Sequence, residues 1–74
     1  MSQLKNIIQK AIDNGDKIAI DYRAVDGRVS TRRVIEPFDF KQNGWNEAVV
    51  AYDNGDHNEI RSFNLNGISA VNNV

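Results

Sequence analysis

The stretch NGDKIAIDYRAVDG, residues 14–27, is an alternating run with an Asn-Gly pair at its start and an Asp-Gly pair at its end. Apolar Ile18, Ile20 and Tyr22 share one parity of this run, a pattern typical of a half-buried β-strand. Glycine adopts a positive φ without a Cβ clash, so such pairs predict tight turns or helix stops. The stretch therefore predicts a helix stop, one strand and a hairpin turn, in that order.

The same turn signal recurs along the whole chain. Each of the five glycines among the 74 residues follows an asparagine or an aspartate: Asn14-Gly15, Asp26-Gly27, Asn43-Gly44, Asn54-Gly55 and Asn66-Gly67. The pairs divide the chain into elements of regular length. We predict a helix over residues 2–14, strands over residues 17–23, 28–36, 38–41, 45–53 and 59–63, and room for a further short strand over residues 69–72.

The predicted helix has an N-cap in Ser2 and apolar residues at helical spacing: Leu4, Ile7, Ile8, Ala11 and Ile12. Pro37 cannot donate a ladder hydrogen bond, so it predicts a strand end or edge. Residues 48–52 are apolar on both parities, which indicates a strand covered by a barrel interior on one side and by the helix on the other. We predict a single domain of the mainly β (α+β) class: a small five-stranded antiparallel barrel capped by one N-terminal helix.

Composition limits the classes of protein that this chain can represent. It has no cysteine, its apolar runs are far shorter than the ~20 residues of a membrane span, and no signal-peptide pattern opens it. These features predict a cytoplasmic protein. A core this small favours self-association, so we expect a homo-oligomer, most simply a dimer.

Signs of catalysis and metal binding are weak. His57 is the lone histidine, and Ser30 and Ser62 have no base at a recognisable spacing. The acidic loop over residues 53–59 misses the spacing of a calcium-binding EF-hand. We therefore expect a non-enzymatic protein without a cofactor, a catalytic residue or a metal site.

The arginines are the strongest candidates for a binding site. All five lie in predicted strands or turns, so a chain with a formal net charge of −1 can still present a basic face. Arg33 and Arg61 fall on the mostly apolar face of their predicted strands, where a guanidinium needs a partner. One interpretation is an ion pair with Glu36, Glu59 or Asp39; the other is a fork for phosphate or carboxylate.

Four aromatic residues have two interpretations as well: Tyr22, Phe38, Phe40 and Trp45. With so few apolar residues available, packing in the core or at its rim is favoured. An exposed aromatic beside Arg32 or Arg33 would instead suit single-stranded nucleic acid.

Several fragments, in matching order and spacing, resemble the WYL domain family. They are Arg33-Val34-Ile35-Glu36-Pro37, then Trp45, then Val50-Ala51-Tyr52-Asp53, then the run from Arg61 to Ile68. The resemblance covers residues 4–71. Asn46 and Glu47 follow Trp45 where the name motif has Tyr and Leu, unless Ala48 and Val49 take those places. Gly67 stands where many members have a second basic residue.

The resemblance implies a small barrel of the Sm-like or SH3-like type and a regulatory role in bacterial transcription factors or phage defence. It also implies a basic pocket for a nucleotide or single-stranded nucleic acid. Matched to the family's motifs, Arg33, Arg61 and Tyr22 would form this pocket. Arg32, Arg23 and Trp45 complete the predicted ligand-binding set. A protein–protein adaptor that modulates a larger regulator or nuclease is the competing hypothesis, favoured by the low net charge and by Gly67.

Overall fold

The structure, a computed structural model, describes residues 3–74 except for the side chain of Asn43. Its elements are helix α1 (Gln3–Asn14), strands β1 (Ile18–Arg23), β2 (Val29–Asn43), β3 (Asn46–Asp53) and β4 (Ile60–Asn64), the 3₁₀ turn η1 (Leu65–Gly67), and strand β5 (Ile68–Asn73). The strands form one antiparallel sheet in the order β4-β3-β2-β1-β5. The predicted class, mainly β with one N-terminal helix, is confirmed.

Helix α1 ends at the first Asn-Gly pair, as predicted. Gly15 has a φ of +70° and donates its N–H to the Ile12 carbonyl (3.2 Å), and Asp16 donates to the Ala11 carbonyl (2.9 Å). These two bonds form a Schellman motif, which satisfies the last carbonyls of the helix. The predicted N-cap, Ser2, lies outside the described residues.

Of the two outcomes predicted at Pro37, the strand end is wrong, because β2 continues through this residue, and the position at an edge is observed. Strand β1 pairs with β2 as far as Ile35, so Pro37 lies where β2 has β3 as its partner and the other side is free. There the missing proline N–H leaves no ladder bond unmade. A register shift between Pro37 and Asp39 bends the strand. The strands predicted over 28–36 and 38–41 are thus one bent strand, and the fifth strand is Ile68–Asn73.

The predicted closed barrel is also wrong. Strands β4 and β5 are the two edges of the sheet, and within residues 3–74 no ladder joins them. The 3₁₀ turn η1 connects them, and the Tyr22 hydroxyl accepts a hydrogen bond from the Asn64 N–H (3.2 Å) across the gap. The molecule is therefore a strongly curved, open five-stranded sheet.

Helix α1 closes one end of this curved sheet. It packs mainly against β2 and β5, and Lys5 on it pairs with Glu47 on β3 (2.8 Å), whereas η1 packs against β3. Residues from the helix and from all five strands build the core: Ile8, Ala11, Ile18, Ile20, Ile35, Val49, Ala51, Phe63 and Ile68. The concave face is thereby filled with side chains, which leaves the rim for any ligand.

Strand β1 is flanked by irregular pairing on both sides at Asp21. The shift toward β2 places Arg32 at a φ of +50°, and the shift toward β5 leaves Ser69 between paired residues. The Asp21 carboxylate accepts the Arg32 N–H (2.9 Å), which fixes the first bulge. Bulges increase local twist and bend, and here they help to curl the sheet.

Candidate functional site

The strand register brings Arg33, Asp53 and Arg61 together at one end of the sheet. Ile35 on β2 is opposite Asp53 on β3, and Ala51 on β3 is opposite Arg61 on β4. Cross-strand partners and alternate residues share a face of the sheet. Arg33, two residues from Ile35, and Arg61 therefore lie on either side of Asp53, on three neighbouring strands.

Both guanidinium groups bind the same carboxylate. Arg33 donates from Nε to Oδ1 of Asp53 (3.2 Å) and from Nη2 to Oδ2 (3.0 Å), which is a bidentate pair. Arg61 donates from Nε to Oδ2 (3.1 Å). The Arg33 guanidinium carbon also lies 5.1 Å from the centroid of the Phe63 ring, within cation–π range. Asp53, 23% exposed at its side chain, is thus the centre of the cluster.

The ion-pair interpretation named the wrong carboxylates for Arg33. Within residues 3–74, neither Glu36 nor Asp39 pairs with it, and Asp53 takes that place. Arg61 does have the predicted partner Glu59, but at 3.7 Å this contact is longer than a hydrogen bond.

The two arginines hold the pKa of Asp53 below its ordinary value. The hydrogen bond from Arg33 is the largest cause, and the positive charges of Arg33 and Arg61 add to it, while partial burial acts in the opposite direction. Asp53 is therefore an anion at neutral pH. With Glu59 3.7 Å from Arg61, two guanidinium groups face two carboxylates in the cluster.

Arg33 and Arg61 of this cluster line an open depression of about 680 Å³, which we call the arginine groove. Its walls come from β4 and from the β1–β2 hairpin: Tyr22, Ala24, Arg28, Val29, Ser30, Arg33, Ile60, Arg61, Ser62 and Phe63. The Tyr22 ring packs edge-on against Phe63 with 5.1 Å between centroids. Tyr22, Arg33 and Arg61 are therefore predicted site residues that the fold brings into one place.

The other predicted site residues lie elsewhere. Arg23 lines a neighbouring depression, and the exposed Arg32 belongs to the β2 bulge. Trp45 lies in the β2–β3 turn, at the opposite end of β3 from Asp53, and is fully exposed. Packing of Trp45 in the core or at its rim was thus a wrong prediction, since the turn lifts it away from the sheet.

Asp53 was missed among the candidates because it precedes Asn54-Gly55 and was assigned to a polar loop. A signal was nevertheless present. Arg33 and Arg61 lie on the apolar face of their strands and so require an anion. Asp53 is the last residue of β3, the strand between β2 and β4 that carry the two arginines. Among the described residues, no three acidic or histidine side chains are grouped closely enough to hold a metal ion. None of the helices in the described part of the chain has the length and apolar character to span a membrane.

The fold defines a class: a small, mainly β domain with one N-terminal helix and an arginine-lined groove at the sheet rim. The family model for the WYL domain matches residues 3–72, and the chain belongs to the WYL domain family. The resemblance described from the sequence is thereby confirmed.

A solved structure shares this fold: proteasome accessory factor B/C (PafBC) of Arthrobacter aurescens, with a TM-score of 0.77 and 20% sequence identity. The match covers 93% of this chain and 11% of that chain, so the present domain corresponds to a small part of PafBC. At this identity the likeness is one of fold. No curated protein sequence matches the chain.

Proposed function

We propose that this chain is a non-enzymatic regulatory domain that binds an anionic ligand in the arginine groove. The ligand class is a nucleotide or a single-stranded nucleic acid, and the binding groups are Arg33 and Arg61. Membership of the WYL domain family supports a regulatory, ligand-sensing role, including one in transcription. The convergence of two guanidinium groups on one carboxylate is the observation that carries the proposal.

The position of Asp53 indicates which kind of anion the guanidinium groups of Arg33 and Arg61 can bind. An oxyanion of the size of a carboxylate fits between them, and phosphate oxygens have similar hydrogen-bonding requirements. Arg61 is half-exposed, and within the described residues its Nε is the nitrogen that hydrogen-bonds, to Asp53. A guanidinium has five N–H groups; Nη2 of Arg61 faces Glu59 at 3.7 Å, and the remaining N–H groups can bind a ligand in the open groove.

The surroundings of the cluster suit a ligand with both charged and apolar parts. Arg28 adds a cation to the groove wall, although it is paired with Asp26 (2.8 Å). Val29, Ile60 and Phe63 give the same wall apolar surface. Phosphate contacts supply affinity, and apolar or aromatic surface accommodates sugars and bases.

The three remaining predicted residues have supporting roles in this proposal. Arg23 and Arg32 raise the local positive potential along the backbone of a bound ligand. Trp45 lies a full length of β3 away, so it joins the site only for a strand several nucleotides long.

A non-enzymatic role agrees with the chemistry of the groove. The Ser30 hydroxyl lies 3.5 Å from Nη1 of Arg33. A guanidinium is always protonated and cannot take the proton of a nucleophile. Ser30 therefore has a donor beside it where a catalytic serine needs a base.

Fluorescence anisotropy with labelled single-stranded RNA and DNA hexamers tests the proposal, with AMP and inorganic phosphate as competitors. We expect Arg61→Gln to weaken hexamer binding about fivefold or more, because one charged hydrogen-bonding partner of the phosphate is lost. Lys10→Gln, which removes the same charge from the exposed side of α1, is the matched control and leaves the affinity unchanged. No binding of any probe, or binding that is insensitive to salt and to Arg61→Gln, contradicts the proposal.

A protein–protein adaptor is the second candidate function, and the exposure of Trp45 favours it. Tryptophan is enriched among the residues that dominate protein interfaces, and this one is fully exposed in a turn. In a native lysate treated with nuclease, we expect a larger regulator or nuclease to remain bound to the chain but not to Trp45→Ala. Loss of the partner after nuclease treatment contradicts this function.

We also propose that the domain forms a homodimer through an open sheet edge. Strand β4 pairs with β3 on one side, its other side is an edge, and Ile60 on it is exposed. Sedimentation equilibrium at several concentrations measures the assembly. A constant mass of one chain across micromolar to millimolar concentrations contradicts it.

A further inference from the structure

A second depression, of about 580 Å³, adjoins the arginine groove. We call it the amide pocket, after Asn46 and Asn66 on its wall. Tyr22, Ala24 and Val29 line both depressions, so the two are continuous along the β1–β2 hairpin. Ligand pockets typically measure about 300–1,000 Å³, so the amide pocket has the volume for a small ligand group.

One wall of the amide pocket is formed by neutral hydrogen-bonding groups. Asn66 on η1 donates from Nδ2 to Oδ1 of Asn46 at the start of β3 (2.8 Å), which joins two distant parts of the chain. A carboxamide has two N–H donors and an oxygen acceptor. After this bond, the wall still offers donors from Asn46 and an acceptor from Asn66.

The β1–β2 hairpin adds apolar side chains to the pocket. Val25 is 90% exposed and Val29 is 62% exposed, so both are accessible to a ligand. Tyr22 forms the divide between the two depressions, and its hydroxyl is fixed by the Asn64 N–H. Its ring is also held against Gly67, where an added Cβ would lie 2.8 Å from Cε1.

Arg23 and Asp21 bring one charge of each sign to this pocket, and its other hydrogen-bonding side chains are neutral. The Asp21 carboxylate on its wall is already engaged by the Arg32 N–H (2.9 Å). A pocket lined by both apolar and carboxamide side chains suits a flat group with donors and acceptors on its edge. Nucleobases are such groups, and asparagine pairs with their edges through both its donor and its acceptor.

We propose that the amide pocket binds a nucleobase whose phosphate lies in the arginine groove. The ligand is then a nucleotide unit, either free or within a single strand, that spans both sides of Tyr22. Asn46 and Asn66 contact the edge of the base, and Val25 and Val29 contact its face. The phosphate half of this inference rests on the proposed function; the base half rests on the amide pocket.

Calorimetric titration of the full chain with AMP, adenosine and inorganic phosphate tests both halves separately. We expect AMP to bind at least about tenfold more tightly than phosphate, because the base adds hydrogen bonds and apolar contact. Asn66→Ala and Asn46→Ala each lower the affinity for AMP about fivefold and leave that for phosphate unchanged. Asn6→Ala, on the exposed face of α1, is the matched control and changes neither.

Equal affinities for AMP and phosphate, or native AMP affinity in both asparagine variants, overturn the base pocket and leave the proposed function standing. Binding of adenosine without phosphate supports the pocket and contradicts the arginine site. Binding of none of the three overturns both.

Two further measurements complete the test. In NMR spectra of the native protein, adenosine is expected to shift the methyl signals of Val25 and Val29, which checks the pocket without any substitution; unshifted methyl signals at saturating AMP overturn it. A hexamer of riboadenylate distinguishes the two sources of the nucleotide. Affinity more than about tenfold above that of AMP indicates a strand, and equal affinity indicates a free nucleotide.

Discussion

Asp53 has two roles in the arginine groove. It lies between Arg33 and Arg61, and it neutralises part of their charge while keeping their guanidinium groups at hydrogen-bonding distance. An incoming phosphate must share these donors with Asp53 or displace it. The carboxylate therefore positions the arginines and also competes with the ligand.

Asp53→Asn is expected to raise the affinity for a single-stranded hexamer about tenfold, because one negative charge leaves the groove. The same substitution lowers the free energy of unfolding by about 1–3 kcal/mol, since charged hydrogen bonds to two arginines are lost. Anisotropy measures the first effect and urea denaturation the second. Asp16→Asn, at an exposed position after α1, is the control with the same change of charge; an unchanged or weaker affinity in Asp53→Asn contradicts the competing role.

The pH dependence of stability follows from the lowered pKa of Asp53. A carboxyl group whose pKa is lower in the folded state stabilises the fold above its unfolded value, and this contribution is lost as the pH falls through the folded value. We expect the free energy of unfolding to decrease from about pH 4 downward, and to decrease less in Asp53→Asn. Denaturation curves between pH 2 and pH 5, a window about the ordinary carboxyl pKa, measure the slope. Identical slopes for the two proteins contradict the role of the cluster.

Parity along the strands was enough to single out Arg33 and Arg61, but not to find their partner. The register between β2 and β3 decides which carboxylate faces Arg33, and the bulge after Pro37 shifts that register. A one-residue shift exchanges the faces of a strand. Glu36, the carboxylate nearest in sequence, is three residues from Arg33 and so lies on the other face of β2. It interacts with His57 (3.4 Å), and Asp53 from the next strand lies beside Arg33.

At the scale of single elements, η1 is held in place by a glycine that contacts β1. A Cβ at Gly67 would lie 2.4 Å from the Arg23 carbonyl oxygen and 2.8 Å from Cε1 of Tyr22. A side chain at this position thus has no space in this chain. The four other glycines have positive φ values and act through backbone conformation.

Gly67→Ala is expected to lower the free energy of unfolding by about 1–3 kcal/mol, because η1 must move away from Tyr22 and Arg23. Gly27→Ala, with a φ of +92° and open space around it, is the comparison that isolates backbone strain. In Gly27→Ala the free energy of unfolding is expected to fall by about 1 kcal/mol. Urea denaturation measures both, and a Gly67→Ala protein as stable as the native chain contradicts the close packing.

The bulge in β2 makes Arg32 a strained residue. A φ of +50° is uncommon outside glycine, asparagine and aspartate, and such residues occur often at functional sites. Arg32→Gly is expected to raise the free energy of unfolding by a few tenths of a kcal/mol to about 1 kcal/mol. It is also expected to weaken hexamer binding; a variant that is both less stable and equally tight in binding contradicts the role assigned to Arg32.

The ends of elements that are determined by neighbouring residues in the sequence were predictable. The Schellman stop at Gly15 needs one glycine and the end of an apolar periodicity, and both are visible in the chain. The strand break at Pro37 was mispredicted because its outcome depends on whether β1 extends that far, which is a tertiary property. The extent of one strand decides whether a proline in its neighbour is tolerated.

For the whole molecule, the sequence predicted the antiparallel class, the helix and the family, but not the division into five strands or the open sheet. Turn signals mark where hairpins lie, and closure depends on whether the two edge strands meet. Here η1 and the Tyr22–Asn64 hydrogen bond replace a ladder between β4 and β5. The arginine groove and the amide pocket share Tyr22, so the opening in the sheet and the proposed site coincide.

The most direct test of the arginine site observes the guanidinium groups themselves. Side-chain Nε–Hε signals of the arginines are recorded by ¹H–¹⁵N NMR during titration with AMP and then with a single-stranded hexamer. We predict that the signals of Arg33 and Arg61 shift together and saturate at one dissociation constant, because the phosphate competes with Asp53 for both. Signals of Arg33 and Arg61 that stay in place while the ligand binds, or that show no binding at millimolar concentration, would contradict the account.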